Sequence, residues 1–224
     1  MGHLWLPVRP AALCLGLSGL AVAAGTPWHP SIFERPVDDV VRHFGAWQLL
    51  HLLAVAVVVL AVVGAAGVVA AHDDDLGRLG LTALLVTLVG SVSTAVLVGL
   101  EAVTFPVLAD RDPRLLDLGG PLLGLPVLLG AGVVALGWPV GLALLGAAAA
   151  RSRRFGRWPG VVLAVSAILF VALAGPFVPV AGALAAVLFG GAQLWWAWLM
   201  WQDSGAGRPG ARTPTPAPVR TPSP

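Results

Sequence analysis

The chain has 224 residues, of which 58% are hydrophobic and 11% charged, with a formal net charge of +2. Soluble domains carry about a quarter charged residues, so an ordinary soluble globule is excluded, and so small a charge points away from nucleic acid as a partner. The single cysteine, Cys14, rules out a disulfide framework and a cysteine-based metal cluster.

Apolar runs near the 18 to 20 residues that span a bilayer divide the chain. The first covers about 10–25, after Arg9. Its length and the Ala21-Val22-Ala23 end also fit a cleavable signal peptide, which would leave five helices and an external N-terminus. A polar stretch, GTPWHPSIFERPVDDVVRHFGA, leads to a second run at 47–71, with Trp47 as an interfacial marker at its start. The connector HDDDLGRLG precedes a third run at 81–109, which Pro106 and Asp110 close. Asp73, Asp74 and Asp75 read as a solvated turn capping the next helix. The fourth run is too long for one span and contains Pro121, Pro126 and Pro139, so its core helix is placed at 128–150. The basic connector RSRRFGRW introduces spans at 161–175 and 180–201. Residues 202–224 are Pro-rich and are expected to be a disordered cytoplasmic tail. The expected fold is therefore an all-α polytopic transmembrane bundle of six helices.

Every basic residue apart from histidine is arginine, which with abundant Ala, Gly and Pro suggests a GC-rich genome. With six spans and both termini cytoplasmic, Arg9, Arg78, Arg151, Arg153, Arg154, Arg157, Arg208, Arg212 and Arg220 fall inside; Arg35, Arg42, Arg111 and Arg114 fall outside. That bias fits a multi-pass protein of the plasma (inner) membrane, its partner being the lipid bilayer. Trp195, Trp196, Trp198 and Trp201 would anchor the inner end of the last helix. Gly182, Ala186 and Gly190 recur every four residues, as Gly64 and Gly67 do every three, and allow close helix approach. Such faces serve packing within one bundle, or a homo-oligomer.

Glu101 is the one ionisable group in the third run. A carboxylate in hydrocarbon costs several kcal/mol, about 2.5–3.5 on insertion scales, unless it pairs or binds a proton. Thr87, Ser91, Thr94 and Glu101 share one helical stripe, extended by Ala83, Val98 and Phe105. The hydroxyls either line a wet crevice or bond to their own helix backbone. The second and third helices are consecutive and antiparallel, which places His51 at the depth of Glu101 and makes it the expected partner. His29, His43, Asp38 and Asp39 are weaker candidates, conceivable as metal ligands beside this pair, but without a ligand motif. No cofactor is indicated. The third to sixth helices contain no histidine that could complete a bis-His haem site, and P-loop, GxGxxG and nucleophile-elbow motifs are absent.

The segment W-Q-L-L-H-L-L at 47–53, Gly64, Gly67, the Asp-rich turn, L-G-R-L-G at 76–80 and G-L-E-A-V-T-F-P-V-L-A at 99–109 together resemble a group of uncharacterised polytopic integral membrane proteins of GC-rich bacteria. The resemblance covers about residues 45–112. It implies a membrane helical bundle and no particular activity. Three functions follow from the sequence: a non-enzymatic accessory or sensory bundle; a small proton- or ion-coupled transporter or channel using Glu101 and His51; or a membrane-embedded metal-dependent enzyme, for which no nucleophile is evident.

Overall fold

The computed structural model describes residues 8–152, 156–175 and 178–205. Helices α1 (Val8–Gly25), α2 (Val37–His43), α3 (Trp47–Ala71), α4 (Asp73–Arg111), α5 (Leu125–Ala135), α6 (Gly137–Ser152), α7 (Arg157–Leu169) and α8 (Ala181–Gly205) follow one another without an intervening strand among the described residues. Six spans are long and apolar enough to cross a membrane, α5 and α6 together forming the fourth. Helices suit this role because lipid offers no partner to backbone N–H and C=O groups, and a helix satisfies them internally.

The spans form a ring in chain order. α1 packs on α3, α3 on α4, α4 on α6, α6 on α7, α7 on α8, and α8 returns to α1. Val58, Ala61, Leu142, Leu145, Phe189 and Trp196 fill the interior. The outer face of α4 shows Leu81, Leu85, Val89, Val92, Val96 and Val103 to the surroundings, an apolar surface that suits lipid and not water.

Glycine makes the closest approaches. A Cβ on Gly67 would fall 2.0 Å from the Ala11 Cβ, and one on Gly190 would fall 2.2 Å from the Gly19 carbonyl oxygen. One on Gly182 would meet the Leu173 carbonyl oxygen at 2.7 Å, and Ala186 is fully buried. The small-residue face of α8 is thus taken up by packing within the chain, so Gly182, Ala186 and Gly190 are not open to a second copy in this fold. Ser18 donates to Gln193 Oε1 at 3.1 Å and adds a buried polar link between α1 and α8.

Several boundaries differ from the sequence expectation. Residues 73–80 of the connector belong to α4, which bends where Gly77 adopts φ 56° and ψ −151°, a backbone conformation open to glycine alone. α4 runs through Pro106 to Arg111, two residues past the expected end at 109. The fourth span starts at Leu125 and breaks at Leu136. Pro139 has no N–H for the Ala135 carbonyl; Thr94 Oγ1, from α4, donates to that carbonyl at 2.9 Å. α7 begins at Arg157 rather than 161, and α8 extends to Gly205, so the first four residues of the expected disordered tail are helical. The rest of that tail, 206–224, lies outside the described residues.

The polar 25–46 stretch contains a helix that hydropathy does not announce. α2 turns Val37, Val40 and Val41 onto Trp47, Ala109, Leu116 and Leu123, forming a second apolar cluster that caps one end of the ring. Arg42 of α2 donates to the Ala109 carbonyl and lies 3.7 Å from Asp38. A cation at the last turn of α4 complements the helix dipole. Trp47 is buried in this cap and is not a surface anchor. Trp196 is buried too, donating to the Pro159 carbonyl at 2.9 Å, while Trp195, Trp198 and Trp201 remain exposed.

Candidate polar site beneath the cap

The first turn of α3 and the last three turns of α4 meet below α2. Trp47 and His51 lie four residues apart, as do Glu101 and Phe105, so each pair shares a helix face. Antiparallel packing brings the two faces together. His51 Nε2 lies 3.2 Å from Glu101 Oε2, with the histidine 3% and the glutamate side chain 23% exposed. Trp47 packs on His51 with ring centroids 4.2 Å apart and on Phe105 at 6.1 Å. Its indole N–H donates to the Glu101 backbone carbonyl at 2.9 Å, which fastens α3 to α4 at the depth of the pair.

A third side chain joins them from outside both helices. The chain leaves α1 through a 3-10 turn, Thr26–Trp28, and folds His29 back over α3. His29 Nε2 lies 3.4 Å from His51 Nε2, and the rings meet edge to face at 5.2 Å. Tautomers follow from the other nitrogens. His29 Nδ1 faces the Pro30 carbonyl and His51 Nδ1 faces the Trp47 carbonyl, both at 2.8 Å. A carbonyl only accepts, so both Nδ1 atoms carry hydrogen. The Nε2 of His51 and the Glu101 carboxylate therefore meet as two acceptors unless a proton lies between them. A proton shared across the contact makes it a hydrogen bond.

His29 lies just beyond the first span. Burial, and then the charge of His51, push its imidazole down from 6.5 to about 4, against the opposing pull of the Pro30 carbonyl. A cavity of about 210 Å³, lined by Thr26, His29, Ser31, Glu34, Val180 and Gly182 among others, opens onto this ring. The arrangement links the surface, through His29, to the His51–Glu101 contact.

The hydroxyl stripe has a different environment. Thr87 is fully buried and donates to its own helix at Ala83 O. A Cβ on Gly141 would overlap it, so it packs against α6. The single Thr94 O–H is shared between Gly90 O at 2.8 Å and Ala135 O at 2.9 Å, and buried Ser91 lies between Thr87 and Thr94 on the same stripe. Thr87 and Thr94 join α4 to the fourth span, whereas Glu101 turns to α3.

The conceivable metal ligands are divided. His43 and Asp39 pair with each other on α2, and Asp38 faces Arg42. His29 alone of that set reaches the pair. Among the described residues, no group of three His, Cys, Asp or Glu side chains is placed to hold a metal ion. Trp47 and Phe105 complete the site; their spacing of four from His51 and Glu101 was the available signal for them. No protein-family model, curated protein or solved structure matches this chain.

Proposed function

We propose that the protein is a non-enzymatic sensory bundle of the plasma membrane, in which the His29–His51–Glu101 chain responds to protons from the face that carries α2. The observation behind this reading is the buried His51–Glu101 contact, reached from a surface cavity through His29. Arg9, Arg78, Arg151 and Arg157 belong to the opposite end of the bundle from the cap, which supports a cytoplasmic assignment for that end. Membership of the GC-rich bacterial group is part of the same proposal.

The sign of the pH response follows from His29. Folded, its ring favours the neutral form; released into solvent, it titrates near 6.5. The attached state is therefore fully favoured above pH 6.5 and loses ground as pH falls toward about 4. Around the ring, α3 contributes His51 and, through it, α4 contributes Glu101; Glu34 lies on the ring's own segment, and Gly182 and Ala183 of α8 carry no charge. Hydrogen exchange of residues 26–43 in nanodiscs should show protection at pH 7.5 and progressive loss below pH 6.5. His29→Gln should flatten that dependence. Protection that is independent of pH in the unsubstituted protein would sink the proposal.

The surface cavity also favours a second reading, proton-coupled transport. Liposomes answer it directly: the sensory reading expects no pH-driven flux from the protein or from Glu101→Gln. A flux present in the former and lost in the latter would establish transport instead. The committed hydroxyls of Thr87 and Thr94 count against a polar path continuing below Glu101.

A further inference from the structure

At the end of the bundle away from the cap, a groove of about 600 Å³ lies along α6 and α7. Its floor is apolar and small: Ala147, Ala150, Val161, Ala164 and Val165, with Arg151 and Arg157 at its end. The cause lies in the helix contact behind it. A Cβ on Gly160 would fall 2.5 Å from the Gly146 carbonyl oxygen, so the two backbones nearly touch there, and the alanines beside them leave a furrow facing outward. Trp158, next to Arg157, is 70% exposed, as suits an aromatic ring at a membrane interface.

The charge is unbalanced. No Asp or Glu occurs anywhere between Asp117 and Asp203, so the two helices and their connector carry arginine alone. Asp203 faces His72 at 4.0 Å. Among the described residues, neither Arg151 nor Arg157 has a carboxylate partner. An apolar furrow open to hydrocarbon, ending at two guanidinium groups, calls for a ligand with a long apolar part and an anionic head.

We propose that this groove binds one anionic phospholipid, with an acyl chain along Ala147, Val161 and Val165 and the phosphate between Arg151 and Arg157. Neither zwitterionic lipid nor free phosphate offers both features. Guanidinium groups hold phosphate through paired N–H donors, and the furrow excludes water from one flank of that contact.

Native mass spectrometry of the full chain, with phosphatidylglycerol and phosphatidylcholine of equal chain length, tests the assignment. Phosphatidylglycerol is expected to bind about tenfold or more tighter, from two arginines beside an anionic head. Arg151→Gln with Arg157→Gln should reduce it to the phosphatidylcholine level, while Arg151→Lys with Arg157→Lys should keep most of the preference. Val165→Trp fills the furrow without touching the arginines and should weaken phosphatidylglycerol binding. Equal binding of the two lipids, or a preference surviving the glutamine pair, overturns the proposal. Displacement of the lipid by millimolar inorganic phosphate overturns it too, in favour of a phosphate site. Should the glutamine pair not fold, Val165→Trp decides alone: undiminished binding there refutes the groove.

Discussion

Replacing His51 with leucine should cost the bundle about 3 kcal/mol, whereas replacing His51 and Glu101 together with leucine should cost under about 1 kcal/mol. The single change leaves the Glu101 carboxylate in a mostly covered position with its proton-sharing partner gone. Breaking one side of a buried pair costs about 3–5 kcal/mol, and the lower end applies because Glu101 keeps some contact with solvent. Removing both polar groups abolishes the demand for a shared proton, and leucine fills much of the volume against Trp47. Glu101→Gln should cost less than His51→Leu, since the amide N–H can donate to His51 Nε2 in place of the shared proton. Reversible unfolding in bicelles, arranged as a double-mutant cycle, measures the coupling. Additive losses would show that the two side chains do not act as a unit.

That coupling also separates what hydropathy reveals from what it hides. The pairing of His51 with Glu101 is legible because consecutive spans joined by a short connector are neighbours, and helix rise converts residue number into depth. The ring in chain order preserves this simple relation at every step. His29 is not legible in the same way. Its position depends on a 3-10 turn and on α2, a helix whose three valines are spaced among Asp38, Asp39 and Arg42 and whose apolar partners are distant in sequence. Trp47 reads as an interfacial anchor from its place at the start of a span; tertiary packing instead buries it and uses its N–H on Glu101. Pro106 reads, with Asp110, as a mark of the helix exit because proline removes a donor and crowds the preceding turn. α4 continues past it, with the Trp47 indole serving the Glu101 carbonyl one residue from the Ala102 carbonyl that Pro106 leaves without its helical donor. Each of these differences comes from a contact between segments that no local window contains.

The site has a physical logic that favours sensing. The His51–Glu101 contact gives each buried polar group a partner, which suits its depth in the bundle. On the proposed sensory reading, His29 adds a base that favours its neutral form when attached and loses ground as it is charged. On that reading acid acts on the tether between α1 and the cap and leaves unchanged the ring below, where the Thr87 and Thr94 hydroxyls are bonded to carbonyls. A response confined to 26–43 is the expected form of the signal.

Replacing Gly90 with alanine should cost about 3 kcal/mol or more and should leave the pH response of the cap intact in the protein that folds. An added Cβ at Gly90 would lie 2.0 Å from Trp138 N and 2.2 Å from the Gly137 carbonyl carbon. Both are backbone atoms at the start of α6, so no rotamer change relieves the overlap, and α4 must move off α6. That movement would also stretch the Thr94 hydrogen bond to Ala135 O, restoring an unsatisfied carbonyl above Pro139. Gly130→Ala provides the contrast. Nothing lies within 4 Å of a Cβ there, and alanine is the better helix former by about 1 kcal/mol, so that change should be neutral or mildly stabilising. Glu101 lies eleven residues beyond Gly90, about 16 Å along the helix, and is held by α3 rather than α6. Thermal unfolding should therefore fall sharply in Gly90→Ala while hydrogen exchange rises in α5 and α6 and the pH dependence of 26–43 persists. Loss of that pH dependence together with α6 protection would mean that the cap and the α4–α6 seam move as one body, and that the proton site reads the packing of the whole ring.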